Sequence, residues 1–339
     1  MLCEKCEALN LTPDDFTIDT DVDGDMPRYD ETYNIGTLSD IYQRSHTCSL
    51  CQLFLSATGV RHDTLKHIND ERKQASWRLY WKGDGIVYGK HEPQVRILMI
   101  SVSRSMPNYN EFRQICLHGD DAQQTAEPLF FGRNIPNKIN PMLVKKWLKS
   151  CQRWHGGNCN ESSPSSDNGR QFPQQFRVID AWQMCIVKPP SNCAYFALSY
   201  VWGTAPVMKL TKGNIEDLSR PGGLQHRWHE IPQTIQDSIR LTSSLGRRYI
   251  WIDSLCIVQD DIQDKAAMIP IMHLIYERAF LTVVAASGMS AAAGLPGFRK
   301  DTRGVSQCIA TVRPGLRLVA PKSLSDSLRK SSYETRAWT

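Results

Sequence analysis

Apolar positions fall into two rhythms along this chain. Alternating, β-branched and aromatic stretches predict strands over residues 76–81 and 94–102. Residues 141–155 repeat instead at helical spacing, through Leu143/Val144, Trp147/Leu148 and Cys151, with Pro141 suited to the first turn. Residues 195–201 form a short apolar strand that ends at Trp202-Gly203. Ile231, Ile235, Ile239 and Leu245 then mark one face of a helix, with Pro232 near its start and Gly246 as its stop. Residues 248–253 predict a further strand, and Gln259-Asp260-Asp261 a loop. The next helix runs through Met268, Met272, Ile275 and Ala279, where Pro270 kinks it or confines its regular part to the residues beyond. Residues 280–286 form a fully apolar strand that ends at Ser287-Gly288.

Nearly continuously apolar strands alternating with helices predict an α/β domain, a parallel sheet flanked on both faces by helices. In such sheets the ligand crevice lies outside the carboxyl ends of the strands. Those ends carry Ser199, Trp202 and Gly203, then Asp253 and Ser254, then Ser287. Small polar groups, a carboxylate and an indole thus share one rim, a candidate nucleotide-binding site. Asp253 suits two roles, orienting a ribose or capping the turn that follows it. Trp202 likewise suits packing or ligand stacking. An N-terminal α+β region precedes this domain, and residues 160–172, rich in Ser, Asn and Gly, have the composition of a flexible linker. The expected organisation is a module over residues 1–60, an accessory α+β region over 61–159, the linker over 160–172, a lead-in strand region over 173–194 and a C-terminal domain over 195–339.

Charge and cysteine usage add to this picture. The net charge is +5 over 339 residues, yet residues 1–70 hold 13 Asp/Glu against 5 Lys/Arg. No apolar run approaches the roughly 18 residues that a membrane helix needs, and the N-terminal residues lack the apolar core of a signal peptide, so a cytoplasmic protein without membrane contact is expected. Of 11 cysteines, Cys3/Cys6 and Cys48/Cys51 form two Cys-x-x-Cys pairs. Paired thiolates at that spacing suit a structural tetrahedral zinc site, with His46 able to replace one ligand, although the 41-residue gap weakens the signal and unmetallated core or surface cysteines are the alternative. Cys151, His155 and Cys159 offer a second but incomplete ligand set, and packing and hydrogen bonding are the favoured reading of them over metal binding. Residues 19–30 mimic a calcium loop, but Pro27 sits inside it and an exposed acidic loop is expected there. Cys256 has no local partner that would make it a nucleophile, and no nucleophile elbow or phosphate-binding glycine loop is present.

Several blocks occur together in the C-terminal half: Tyr195-Phe196-Ala197-Leu198-Ser199-Tyr200-Val201-Trp202-Gly203, Ile231-Pro232-Gln233-Thr234-Ile235-Gln236-Asp237 and Tyr249-Ile250-Trp251-Ile252-Asp253-Ser254-Leu255-Cys256. Asp264-Lys265, Val284-Ala285-Ala286-Ser287-Gly288 and Gly294-Leu295-Pro296-Gly297 follow in order. In residues, order and spacing, residues 195–339 resemble the fungal heterokaryon incompatibility (HET) domain family. The resemblance implies a TIR/flavodoxin-like sheet and a role in non-self recognition and regulated cell death, through protein partners or self-association. By distant kinship to TIR domains it also implies a possible NAD glycohydrolase, with NAD as substrate and a glutamate supplying the carboxylate. The family continues from an Arg-x-Trp-Thr block into an apolar residue and Gln-Glu, whereas this sequence stops at Arg336-Ala337-Trp338-Thr339, so the expected glutamate is absent and the domain is expected to lack its C-terminal end. A signalling and interaction domain is therefore the favoured reading over the enzyme. A zinc-dependent nucleic-acid binder is a third reading, and the acidity of residues 1–70 argues against it, since such a surface repels phosphates.

Overall fold

The computed structural model of the chain describes residues 1–16, 32–58, 74, 76–84, 95–102, 113–122, 131–155, 172–191, 193–204, 207–304, 307–321, 328 and 331–334. The acidic loop over 19–30, the linker up to residue 171, Cys159, the side chain of His155 and the terminal Arg-x-Trp-Thr block lie outside them. Contacts divide the chain into two compact units, Met1–Ile135 with Val305–Leu324, and Pro136–Gly304 with Ser325–Thr339.

The first unit opens with helix α1 (Glu4–Glu7), strand β1 (Thr32–Thr37) and helices α2 (Leu38–Ser45) and α3 (Ser49–Ala57). Thr37 starts α2 with a capping box: its hydroxyl accepts from the Asp40 amide at 3.1 Å, and the Asp40 carboxylate accepts from the Thr37 amide at 2.8 Å. Strands β2 (Ser76–Asp84), β3 (Val95–Val102) and β4 (Arg113–Leu117) follow. Their alternation places Trp77, Leu79, Leu98, Ile100, Ile115 and Leu117 in one buried cluster with Leu38, Ile41, Leu50 and Phe54 of the helices. The register agrees, with Leu79 opposite Ile100 and Leu98 opposite Ile115.

The second unit contains helix α4 (Pro141–His155) and strands β5 (Val178–Asp180), β6 (Cys185–Val187) and β7 (Tyr195–Ser199). Helices α5 (Ile215–Ser219), α6 (Gly223–His226) and α7 (Gln233–Ser244) lead to strand β8 (Tyr249–Trp251). Helices α8 (Asp253–Cys256), α9 (Ile262–Met268) and α10 (Met272–Glu277) precede strand β9 (Leu281–Val284). Pro270 divides α9 from α10 by a 3-10 turn over Ile269–Ile271. The sheet order is β6-β5-β8-β7-β9. β7 pairs in parallel with both β8 and β9, so their carboxyl ends share one side.

The expectation of a parallel sheet is corrected here: the sheet is mixed. β5 pairs antiparallel with β6 and with β8. Only the turn over residues 181–184 joins β5 to β6, and a parallel partner would need a crossover of a dozen or more residues. β9 also differs from a strand covered on both faces. It lies at the sheet's edge, half-buried, with Val284 exposed.

The remaining strands, β10 (Ile309–Arg313) and β11 (Leu316–Val319), form a hairpin that belongs to the first unit. β11 pairs antiparallel with β4, which completes an antiparallel sheet of order β1-β2-β3-β4-β11-β10. Ala310, Leu316 and Leu318 enter the same core as the helices. The protein is thus a mixed α/β chain with two sheets among the described residues, one antiparallel and one mixed.

Buried carboxylates hold the second unit's loops. Asp180 accepts from the amides of Trp182 and Gln183, both at 3.0 Å, and from Arg248 Nε and Nη2 at 2.8 and 2.7 Å. Burial alone would raise its pKa, but the Arg248 fork and the two amides outweigh it and hold the carboxyl below the ordinary range. Asp264 accepts from the Val258 amide at 2.7 Å and from Arg177 at 2.8 Å. Asp237 accepts from the Leu295 amide at 2.9 Å and the Gln233 side chain at 2.7 Å, with Arg299 Nε 3.5 Å away. The Gly294 amide donates to the Thr234 hydroxyl at 3.0 Å, so the first turns of α7 receive the turn that carries Gly294 and Leu295.

Gly294 has φ +78°, and a Cβ there would lie 2.7 Å from Asp237 Oδ2 and 2.3 Å from Arg299 Nη2. Gly294→Ala is therefore expected to lower stability by roughly 2 kcal/mol or more, through left-handed strain and displacement of the Arg299 side chain and the buried Asp237 carboxylate. Urea denaturation followed by tryptophan fluorescence measures it, and an unchanged midpoint would contradict the docking role.

Candidate functional site

The parallel trio places its ends on one side, and the chain leaves β7 through Tyr200, Val201 and Trp202. The Trp202 indole Nε1–H points at the Asp253 carboxylate, 3.1 Å from Oδ1 and 3.0 Å from Oδ2. Oδ1 also accepts from the Ser254 amide at 2.7 Å. Ser254 is fully buried, and its hydroxyl is 2.8 Å from the phenolic oxygen of Tyr200, which donates to it. Burial raises the Tyr200 phenol well above its ordinary pKa, and the nearby negative charge of Asp253 adds to the effect. Lys209 Nζ lies 5.3 Å from the centroid of the Trp202 ring, within cation–π range.

Backbone bonds lock this arrangement from behind. The Ala291 amide donates to the Trp202 carbonyl at 3.1 Å, and the Leu210 amide to the Ser254 carbonyl at 2.8 Å. The Gln259 side chain donates to the carbonyls of Asp253 and Ile257 at 3.1 and 3.0 Å. Gly203 has φ +72°, and a Cβ there would fall 2.5 Å from Ser290 Cβ, so only glycine fits that close approach.

Of the rim residues expected from the sequence, Trp202, Asp253 and Ser254 are joined by hydrogen bonds, and Gly203 follows directly. Ser199 closes β7, and its carbonyl accepts from the Ala285 amide at 2.8 Å. Ser287 lies three residues beyond β9 and is exposed. On either side of it the carbonyls of Ala286 and Gly288 accept from the Ser332 hydroxyl at 3.5 and 3.0 Å. Tyr200, Lys209 and Gln259 were not anticipated as site residues. Tyr200 follows Ser199 in the strand pattern, where an inward hydroxyl-bearing ring needs a polar partner, whereas Lys209 and Gln259 carry no local signal.

The four paired cysteines converge in the first unit. Cys3 precedes α1 and Cys48 precedes α3, so each Cys-x-x-Cys pair folds across the first turn of a helix. The Cys51 Sγ lies 3.7 Å from that of Cys3 and 3.5 Å from that of Cys6, and all four ligand atoms lie within 4.8 Å of one another. A tetrahedral zinc with Zn–S bonds of about 2.3 Å places its sulfurs about 3.8 Å apart, so the cluster fits a four-thiolate site. The hydrogen bond with Cys6 holds the Cys51 pKa down to about 5, against the opposing effect of burial. That same bond, with burial, pushes Cys6 upward. Arg44 also helps to lower the Cys51 pKa and donates to the Ile35 carbonyl, which brings a cation to a cluster that would carry excess negative charge with a divalent metal. Of the second expected set, Cys151 is half-buried on α4. Cys256 is fully buried with its thiol pKa raised to about 12, chiefly by that burial, and does not match an activated nucleophile.

An α/β domain with a parallel three-strand core and an indole–carboxylate pair at the strand ends defines the class of the second unit. Residues 195–339 match the family model described as heterokaryon incompatibility protein (HET), so the chain carries a HET domain there. No curated protein and no solved structure matches the chain. The matched residues include β10 and β11, which pair into the first unit's sheet. Among the described residues no helix is long and apolar enough to cross a membrane.

Trp202→Phe keeps a ring in place but removes the donor that spans both oxygens of Asp253. A hydrogen bond to a charged acceptor contributes about 1.5–3 kcal/mol, so a loss of about that size is expected in urea unfolding. A loss below about 0.5 kcal/mol would mean that the indole acts by packing alone.

Proposed function

We propose that this protein works through its HET domain as a signalling and interaction protein of fungal non-self recognition and regulated cell death, in the cytoplasm. The observation that carries this reading is the engagement of Asp253 by the Trp202 indole and the Ser254 amide. A carboxylate oriented by its own neighbours suits the role of fixing the rim's shape, which a partner or a second copy then reads. The parallel trio of β8, β7 and β9 supports the distant likeness to TIR domains. The alternative is cleavage of NAD at the nicotinamide–ribose bond, where a carboxylate would stabilise charge developing on the ribose. Incubation of the concentrated full chain with NAD is expected to release no nicotinamide above a protein-free control. Turnover that disappears on Asp253→Ala would overturn the interaction reading in favour of the enzyme.

In this reading the four cysteines hold one structural zinc ion, with Cys3, Cys6, Cys48 and Cys51 as thiolate ligands. Such a site stabilises a small helical layer by binding only the folded arrangement. Elemental analysis of the purified chain is expected to find about one zinc per molecule. Chelation is expected to release zinc and lower the thermal midpoint, and Cys51→Ser to abolish retention. Less than half an equivalent in the untreated protein would refute the zinc assignment.

A further inference from the structure

The second unit has a cavity of about 210 Å³ away from the strand-end rim. Ala181, Met184 and Ile239 give it apolar surface and Trp228 an aromatic one, while Arg240, Gln225 and Ser243 supply polar groups. Its size decides the class of occupant. Pockets for drug-sized or nucleotide ligands span about 300–1,000 Å³, whereas this volume admits one aromatic or aliphatic side chain.

The charged group at this cavity is the second observation. Arg240 is exposed, and its guanidinium lies 5.0 Å from the centroid of the Trp228 ring. It forms no ion pair with a described residue, unlike its neighbours along the chain: Arg227 is paired with Glu230, and Arg248 with Asp180. Arg220 is likewise paired, with Asp217 at 3.3 Å, so Arg240 is the cation that the cavity itself presents. Trp182, which directly follows Ala181 of the cavity, is 60% exposed, with Arg248 5.6 Å from its ring centroid. Met184, at φ +51°, carries the non-glycine positive φ at the end of the β5–β6 turn and also lines the cavity. Trp228 and Arg240 together at a one-residue pocket, with the Arg240 charge in no ion pair among the described residues, are the composition of an interface hot spot.

We infer that this cavity is a docking site for an acidic segment of a partner protein, which inserts one apolar or aromatic side chain beside Trp228 while its carboxylates meet Arg240. The site is independent of what the rim does, and the partner it implies is a protein with an exposed acidic, aromatic-bearing stretch. The preformed volume fixes the anchor, and the charge fixes its flanks.

The test uses the full chain and three fluorescein-labelled synthetic peptides of equal length: a tryptophan flanked by glutamates and aspartates, the same tryptophan flanked by lysines, and the acidic flanks around a glycine. Fluorescence anisotropy at low salt is expected to show saturable binding of the acidic tryptophan peptide alone. Arg240→Glu is expected to weaken it at least tenfold and to bring the lysine-flanked peptide into measurable range. Ala181→Leu, which fills the cavity from a wall, is expected to weaken the acidic peptide without reversing the charge preference. Circular dichroism of both variants establishes that they are folded, and Arg240→Gln stands in should Arg240→Glu prove unstable. No saturable binding by the wild-type chain would overturn the proposal, as would equal binding of the glycine peptide, or binding indifferent to both substitutions. None of these outcomes bears on NAD cleavage or on zinc, so failure here leaves the reading of the HET domain standing.

Discussion

Strand β7 is paired on both edges and buried along its length, and most of the second unit follows from that constraint. Tyr195, Phe196, Ala197 and Leu198 are almost wholly inaccessible, between β8 on one side and β9 on the other. Fully burying each large apolar side chain is worth about 1.5–3 kcal/mol, so β7 with its neighbour Trp251 anchors the fold. Parallel pairing on both edges requires connections that leave the sheet and return, which α7 and the α8–α10 run supply. The same parallel geometry sends all three strand ends to one side. The indole–carboxylate pair is thus a consequence of the core's topology before it is a site.

Return connections in a buried parallel core leave loops whose amides need partners, and the chain meets that need with carboxylates. Asp180, Asp237 and Asp264 are each buried, each accepts from at least one backbone amide, and each faces an arginine: Arg248, Arg299 and Arg177. An unpaired buried charge would cost several kcal/mol, and these groups avoid that by binding amides and a cation together. This explains in physical terms why Asp237 and Asp264 stand within recognisable sequence blocks although neither reaches the strand-end rim. They join one block to another, as when Asp237 on α7 receives the amide of Leu295. Asp253 adds an indole to these donors, since Trp202 Nε1 reaches both of its oxygens at the rim.

Long or strongly patterned elements were legible in the sequence. β2, β3, β7, α4, α7 and the Pro270 break between α9 and α10 follow from alternation, helical spacing and breaker residues. So does the meeting of Cys3, Cys6, Cys48 and Cys51, because each pair sits on the first turn of a helix. Strand ends also pointed to Trp202, Asp253 and Ser254. The three-residue strands β5 and β6 carry no period, and their antiparallel pairing depends on a short turn that apolar content does not reveal. β10 and β11 were invisible for a different reason. Leu316 and Leu318 read as apolar positions, but nothing local says that their partner strand is β4. Contacts such as Tyr200 with Ser254 span 54 residues and arise only when β7 and β8 lie side by side.

Chain order gives β10 and β11 their importance. Residues 136–304 are inserted between β4 and the hairpin that pairs with it, so the first unit's sheet is closed by strands from the far side of the insertion. An insertion is tolerated when its two ends are held near each other. Gln307 does this with both ends of its amide: its Nε2 donates to the Arg133 carbonyl at 2.8 Å, and its Oε1 accepts from the Ile135 amide at 3.0 Å. The Ser49 hydroxyl at the start of α3 reaches the Thr311 carbonyl across 262 residues, whereas the cysteine contacts span only 45 and 48. Closure costs about 0.6 kcal/mol per doubling of loop length, so the cysteine cluster orders α1 and α3 at lower entropic cost than the hairpin does. A chain without the β10–β11 hairpin would leave the edge of β4 unpaired, and the core beneath it without Ala310, Leu316 and Leu318. The HET-matched segment thus does more than build its own sheet: its hairpin is a condition for the N-terminal unit to be complete.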